Sequence, residues 1–290
     1  MRKIRTIAVL PTLFTLGNLI CGFFSIVVAS RVAAPVDPEP LTSQRIGIMQ
    51  RGEMAFDKDD PTHNIMLSGW LIFLAMVFDA LDGHVARLSR TSSEFGAQLD
   101  SLCDVVTFGV APGFLLVKMV PQFAYWHTGA IWIIAVVFPA CAAMRLARFN
   151  VESGEDDDHM HFSGLPSPAA AASIAGFAIL FYTTRIGSQE AGKEWLVNVD
   201  RFVQHVLPFF AIVVAALMVS RIPYPHIVNQ IFRGQRSFGH LVGLVFALLA
   251  IMLVRGYAVP ILCVLFVLVP PIKFLWQRAQ QQSTGDEPLF

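Results

Sequence analysis

Four aspartates stand among strongly apolar residues in the stretch 79–104. Asp79 and Asp82 are three residues apart, and Asp100 and Asp104 are four apart, so each pair lies on one side of its own helix. Carboxylates are costly in such surroundings, and four that converge in a low dielectric repel one another unless cations neutralise them. Carboxylate oxygens favour Mg²⁺ or Mn²⁺ over zinc or copper. The sequence therefore predicts a site for two divalent cations.

Small residues accompany both pairs of acids. Gly83 and Ala86 share the face of the first pair, and Gly96 stands one turn before the second pair. This arrangement leaves space for a large ligand beside the carboxylates. Sites of this kind usually hold phosphates, and Arg87 is placed on the same helix to help bind one. Helix capping, the plainer explanation of acids near helix ends, accounts for neither the paired spacing nor the glycines.

The composition is that of a membrane protein. Hydrophobic residues make up 55% of the 290 residues and charged residues only 14%, against roughly a quarter in an ordinary soluble domain. The 21 basic residues equal the 21 acidic ones, so net charge gives no reason to expect a nucleic-acid partner. The lipid bilayer is the expected surroundings.

The elements that must position the acids are membrane-spanning helices. A span needs about 20 apolar residues, and this rule predicts an all-α polytopic bundle in which the second and third spans carry the acids. We expect one integral-membrane catalytic domain over 1–276, with a long non-cytoplasmic loop at 32–64 and a polar, disordered cytoplasmic tail at 277–290. The eight predicted spans are 12–31, 65–86, 95–118, 127–147, 165–184, 203–220, 238–254 and 259–276.

Basic residues predict the orientation. Arg2, Lys3 and Arg5 precede the first span, and slightly more than half of the 21 Lys and Arg residues then fall on the same side as the N-terminus. Positive residues favour the cytoplasmic side. We therefore expect a multi-pass protein of the cell (inner) membrane, with the acids and both termini facing the cytoplasm.

The acids and small residues form one extended pattern, D-x-x-D-G-x-x-A-R-x8-G-x-x-x-D-x-x-x-D. This pattern resembles the signature of the CDP-alcohol phosphotransferase family, with every fixed position present. The resemblance implies a helical membrane enzyme with a six-helix core, usually a homodimer, that transfers a phosphatidyl-type group from a CDP-linked lipid to an alcohol and releases CMP. The eight matching positions are Asp79, Asp82, Gly83, Ala86, Arg87, Gly96, Asp100 and Asp104.

The resemblance also implies roles for individual residues. Asp79, Asp82 and Asp100 are expected to bind the metal ions, while Asp104 is expected to be the general base and to contact a metal as well. A segment of the first span, 11–18, resembles the nucleotide-contacting segment of the family. The residues expected to contact the CDP-lipid are Thr15, Asn18, Gly83, Ala86, Arg87, Ser93 and Gly96.

Other segments bear on the acceptor alcohol. The stretches 144–150, 162–168 and 219–225 resemble the phosphatidylserine synthase branch of the family, which implies CDP-diacylglycerol and L-serine as substrates. Serine carries a carboxylate, so its pocket should contain a guanidinium, and Arg145, Arg148 and Arg221 are the candidates. The preference for basic residues at the cytoplasmic ends of spans also explains these arginines without any substrate.

Two alternatives stay open at this point. The acceptor could be glycerol 3-phosphate or inositol, because the family signature does not specify the alcohol. A cation-coupled transporter also keeps carboxylates within helices. That class predicts acids near the midplane and inverted repeats, whereas these acids lie toward one end of their helices and no repeat is evident.

Overall fold

In the computed structural model of the chain, every described element is helical. The structure describes residues 9–32, 60–89, 94–152, 164–191, 194–224 and 255–283. The α-helices are α1 (Val9–Ser30), α2 (Pro61–Ser89), α3 (Glu94–Asp104), α4 (Ala111–Met119), α5 (Pro121–Trp126), α6 (Thr128–Glu152), α7 (Ser167–Ala191), α8 (Glu194–Val219) and α9 (Ala258–Ser283). A π-helical segment, Val105–Val110, joins α3 to α4, and a 3₁₀ turn, Arg255–Tyr257, precedes α9.

Seven stretches of helix in the described residues are long and apolar enough to span a membrane. They correspond to seven of the eight predicted spans and confirm the all-α polytopic fold, while the predicted span 238–254 lies outside the described residues. Helix α8 begins nine residues before its predicted span, at Glu194 rather than 203. Helix α9 continues to Ser283, six residues past the predicted start of the tail, and 284–290 lie outside the described residues.

Helices α1 and α2 pack closely through a buried polar contact. The Ser25 and Ser68 hydroxyls lie 2.8 Å apart, and each is 3.0 Å from the other residue's backbone carbonyl. Polar groups that pair across helices in this way avoid unsatisfied hydrogen bonds in hydrocarbon. At the N-terminus of α2, the Asp60 carboxylate accepts a hydrogen bond from the Thr62 N–H at 2.9 Å. Pro61 occupies the first helical position.

The π-helical segment and α4 lie against α6 through two small residues. A Cβ added at Gly109 would be 3.1 Å from Cα of Pro139, and one added at Gly113 would be 2.6 Å from the Ala135 carbonyl oxygen. Pro139 has no N–H, so it leaves that carbonyl of α6 without its intrahelical partner. The Gly-x-x-x-Gly spacing therefore permits a close approach of the two backbones, as at many membrane helix crossings.

The N-terminal end of α7 and the C-terminal end of α8 are joined by backbone contacts. Gly164 adopts φ +97°, a left-handed conformation that favours glycine. Its N–H donates to the Ile222 carbonyl at 2.9 Å, and the next residue, Leu165, donates to Leu217 at 3.0 Å. These bonds satisfy carbonyl groups at and beyond the C-terminal end of α8, and they fix the entry to α7 beside the end of α8.

The opposite ends of α7 and α8 share a partly buried ion pair. Arg185 donates from Nε to Asp200 at 3.1 Å, and Gln204 donates to the other carboxylate oxygen at 2.7 Å. Both oxygens of Asp200 therefore have partners within the protein. This pair lies toward the end of α7 opposite the one that Gly164 precedes.

Candidate active site

Three carboxylates converge where α2 and α3 approach each other. Asp79 and Asp82 come from the last third of α2, and Asp100 comes from the middle of α3. One oxygen of each residue lies within 4.8 Å of an oxygen of the other two. The prediction that the two helices bring their acids together is confirmed for these three residues.

The oxygens of this cluster have the character of metal ligands. Oδ2 of Asp82 and Oδ1 of Asp100 are buried and have no hydrogen-bond partner among the described residues. Buried polar atoms are normally satisfied, and a carboxylate oxygen left without a donor in a low dielectric is unfavourable. A divalent cation with a preference for oxygen ligands fits this set of three carboxylates.

Asp104 lies one turn beyond Asp100, at the end of α3, and is 7% exposed. It is not one of the three carboxylates that share the 4.8 Å cluster, although it interacts electrostatically with all of them. Its Oδ1 accepts a hydrogen bond from Nδ2 of Asn18 at 3.0 Å. Asp104 therefore stands beside the candidate metal site with a hydrogen-bonding partner of its own.

Arg145 of α6 brings a positive charge to the acids. Its guanidinium interacts electrostatically with both Asp79 and Asp104. Nη1 donates to the Ser167 hydroxyl at 2.9 Å, while Nε is buried without a hydrogen-bond partner among the described residues. A buried donor of this kind is suited to an anionic group that enters the site.

The other two candidate arginines have different surroundings. Arg148 donates from Nη1 to the Val219 carbonyl at 3.1 Å, at the last residue of α8. Arg221 follows that helix and is exposed. Of the three arginines, Arg145 is therefore the one whose charge acts on the acids in the described structure.

The face of α2 that carries Asp79 and Asp82 has open space. A Cβ added at Gly83 would meet no atom within 4 Å among the described residues. The hydroxyl of Thr15, on α1, interacts with Asp82 across this face. The small residue thus borders a space beside the carboxylates, as the sequence predicts.

The sequence of the chain matches the CDP-alcohol phosphatidyltransferase family over residues 8–220. This match covers α1 through the residue after α8 and includes every candidate aspartate and arginine of the site except Arg221. The chain belongs to the CDP-alcohol phosphatidyltransferase family. The family membership predicted from the signature is confirmed.

Curated relatives share this region. The chain is 38% identical over 162 residues to a CDP-diacylglycerol–serine O-phosphatidyltransferase of Methanocaldococcus jannaschii. The matched region covers 56% of this chain and 65% of the relative. It is 33% identical over 170 residues to the protein of that name from Helicobacter pylori, covering 57% and 63%. An archaetidylserine synthase of Methanothermobacter thermautotrophicus is 33% identical over 159 residues, covering 54% and 57%. The chain thus matches less than two thirds of the length of each of these relatives.

Three further residues predicted to contact the CDP-lipid lie in the last turn of α2 and the first turn of α3. Ala86 and Arg87 lie in the last turn of α2, Gly96 lies in the first turn of α3, and Ser93 lies outside the described residues. Their assignment to the CDP-lipid stays a prediction. The same holds for Thr15 and Asn18, whose observed partners are protein groups.

Sequence reasoning overlooked three residues that support the site. Ser167 receives the hydrogen bond from Arg145, and Thr107 donates to the Asn18 carbonyl at 3.2 Å. The Asn150 amide donates to the Ser101 hydroxyl at 3.0 Å and so joins α6 to α3. Thr107 follows Asp100 and Asp104 at the i, i+4, i+7 spacing of one helix face, and this signal could have identified it.

Proposed function

We propose that this phosphatidyltransferase family member transfers a phosphatidyl group from CDP-diacylglycerol to the hydroxyl of L-serine, forming phosphatidylserine and releasing CMP. The observation that carries the proposal is the guanidinium of Arg145, which donates from Nη1 to Ser167 and whose Nε is buried without a hydrogen-bond partner among the described residues. Two of the relatives, at 38% and 33% identity, are CDP-diacylglycerol–serine O-phosphatidyltransferases, which supports serine as the acceptor.

The donor lipid occupies the acidic side of the site in this proposal. Asp79, Asp82 and Asp100 would hold two divalent cations, Mg²⁺ or Mn²⁺. The buried oxygens of Asp82 and Asp100 that have no hydrogen-bond partner among the described residues favour such binding. When bound, such cations neutralise the diphosphate oxygens and the charge that develops on the leaving group. The open space beside Gly83 receives the nucleotide.

Serine occupies the side of the site nearer α6. The guanidinium of Arg145 binds the serine carboxylate, because a planar fork of donors matches a carboxylate and Nε of Arg145 has no other partner among the described residues. Ser167 holds Nη1 and so fixes the orientation of the fork. The negative charge of the neighbouring aspartates favours binding of the serine ammonium group.

Asp104 acts as the general base. It takes the proton from the serine hydroxyl as that oxygen attacks the phosphorus bearing the diacylglycerol. A new P–O bond forms to serine, the P–O bond of the diphosphate breaks, and CMP leaves with the bonding electrons. Positioned bases contribute roughly 10² to 10⁴-fold to such reactions, and the remaining acceleration comes from placement and electrostatic stabilisation.

The proposal extends to the surroundings of the enzyme. The basic N-terminal residues Arg2, Lys3 and Arg5 favour a cytoplasmic N-terminus, which puts the acids on the cytoplasmic side of the cell (inner) membrane. A homodimer is proposed from the family resemblance. Apolar side chains such as Phe23, Trp132 and Leu275 are exposed on the single chain and suit either lipid or a second copy.

The deciding experiment is an acceptor comparison with the purified chain. CDP-diacylglycerol and Mg²⁺ or Mn²⁺ are supplied with L-serine, glycerol 3-phosphate or inositol, and both CMP release and the lipid product are measured. Serine-dependent CMP release with phosphatidylserine as product supports the proposal. Product with another alcohol alone overturns serine as the acceptor, and no CMP release with any of the three overturns the proposed reaction with these acceptors.

A further inference from the structure

The side chain of Asn18 is directed at Asp104. Asn18 is fully buried in α1, and its Nδ2 donates to Oδ1 of Asp104 at 3.0 Å. Within the described part of the chain, no hydrogen bond reaches the second oxygen, Oδ2, of Asp104. One oxygen of the carboxylate is thus fixed by the amide, and the other stays available to a substrate.

Asn18 is itself held by the segment that follows Asp104. The hydroxyl of Thr107 donates to the Asn18 backbone carbonyl at 3.2 Å, and both residues are fully buried. Gly22, one turn after Asn18, allows this approach, because a Cβ there would lie 2.8 Å from Cα of Thr107. Thr107 belongs to the π-helical segment that begins directly after Asp104, and π-helical turns are frequent at functional sites.

We propose that Asn18 is a positioning residue for the general base, and that Thr107 supports it in this role. This inference rests on the proposed function, in which Asp104 accepts the proton of the alcohol. An amide that donates to one carboxylate oxygen limits rotation about the Cβ–Cγ bond and keeps Oδ2 directed toward the acceptor hydroxyl. Misplacing a reacting group by about 1 Å can lower the rate by roughly 10²-fold.

The competing role for Asn18 is a contact with the nucleotide, as the family resemblance implies. Its Oδ1 is buried and accepts no hydrogen bond from the described residues, so a ligand donor could reach it. The two roles predict different kinetics. Loss of a positioning residue lowers kcat and leaves the affinity for the donor lipid intact, whereas loss of a nucleotide contact weakens donor binding.

The test is Asn18→Ala in the full-length purified chain. We expect kcat to fall roughly 10- to 100-fold, with KM for CDP-diacylglycerol and the affinity for CDP within about twofold of the wild-type values. Asn18→Asp, which has nearly the same volume but replaces the amide donor by an acceptor, should lose at least as much kcat. Thr107→Val, which keeps the shape and removes the hydroxyl, should lower kcat by a smaller factor.

Ser25→Ala is the matched control, because Ser25 is a buried polar residue of the same helix whose hydroxyl contacts Ser68 instead of the acids. It should retain kcat even if its melting temperature falls. The inference is overturned if Asn18→Ala keeps its kcat, or if it raises KM and weakens CDP binding by tenfold or more while Ser25→Ala does neither.

The wild-type acceptor comparison separates this inference from the proposed function. If the wild type uses an alcohol other than serine, serine as acceptor fails, and the Asn18 variants are measured with the alcohol that is used. If the wild type transfers to serine and Asn18→Ala has normal kcat, the proposed function stands and the inference fails.

Discussion

Arg145 of α6 donates to the hydroxyl of Ser167, the first residue of α7, at 2.9 Å. This bond fixes one nitrogen of the guanidinium and leaves Nε buried and unpartnered among the described residues. The same guanidinium interacts with Asp79 and Asp104. The orientation of the guanidinium is thus set before a substrate arrives. This preorganisation favours binding of an anionic acceptor close to Asp104, the proposed base.

The first prediction concerns Arg145→Lys. The lysine keeps the positive charge but has no planar fork that could bind Ser167 and a carboxylate together. A hydrogen bond to a charged group contributes about 1.5–3 kcal/mol, so we expect KM for serine to rise by roughly 10- to 100-fold, with KM for CDP-diacylglycerol little changed. Steady-state kinetics with each substrate varied in turn measures both constants.

Arg148→Lys is the matched control for this prediction. Arg148 lies three residues further along α6 and donates to the Val219 carbonyl, so its replacement should lower the melting temperature more than it alters KM for serine. An equal rise of KM for serine in both variants would contradict the assignment of the acceptor carboxylate to Arg145.

The second prediction concerns the metal site. Asp100→Asn replaces by a neutral amide the carboxylate that we propose as a metal ligand, whose Oδ1 has no hydrogen-bond partner among the described residues. We expect the affinity for Mn²⁺, measured by titration calorimetry in the presence of CDP, to fall by roughly tenfold or more, with a parallel loss of CMP release.

Asp200→Asn is the control, because the oxygens of Asp200 are bound by Arg185 and Gln204 at the other end of the helices. It should bind Mn²⁺ normally and unfold at a lower temperature, since it leaves Arg185 without its counter-ion.

The third prediction separates the base from the metal ligands. Asp104→Asn preserves the shape of the side chain and its contact with Asn18, but it cannot accept the proton of the alcohol. We expect kcat to fall by roughly 10² to 10⁴-fold, with binding of CDP and Mn²⁺ retained. Near-normal turnover of this variant would exclude Asp104 as the base, and loss of Mn²⁺ binding would instead make it a metal ligand.

The convergence of the acids could be predicted because it depends on local features. The spacings of three and four residues fix which residues share a helix face, and only four residues, 90–93, separate α2 from α3. Two helices joined by so short a connection have their adjacent ends close together. The positions of Asp79, Asp82 and Asp100 therefore follow from sequence.

The division of roles among the arginines could not be predicted in this way. Arg145 and Arg148 are three residues apart on α6, so their positions along the helix differ by less than one turn. Sequence spacing therefore does not indicate which of the two arginines lies nearer the acids. That choice depends on how α6 packs against α7 and α8, which places Ser167 beside Arg145 and the Val219 carbonyl beside Arg148. The π-helical segment after Asp104 was also not predicted, because its packing depends on close contacts of Gly22 and Gly109 with other elements.

The last prediction tests the space beside the acids. Gly83→Leu adds a side chain on the α2 face of Asp79 and Asp82, where a Cβ meets no described atom within 4 Å. Leucine favours helix over glycine by up to about 1 kcal/mol, so the variant should fold at least as well as the wild type. We expect KM for CDP-diacylglycerol to rise by tenfold or more because the added side chain occupies the volume proposed for the nucleotide, and a titration with CDP measures the same loss without turnover. Gly129→Leu, at an equally open position in the first turn of α6, should bind CDP normally, whereas normal CDP binding by Gly83→Leu would show that the nucleotide lies elsewhere.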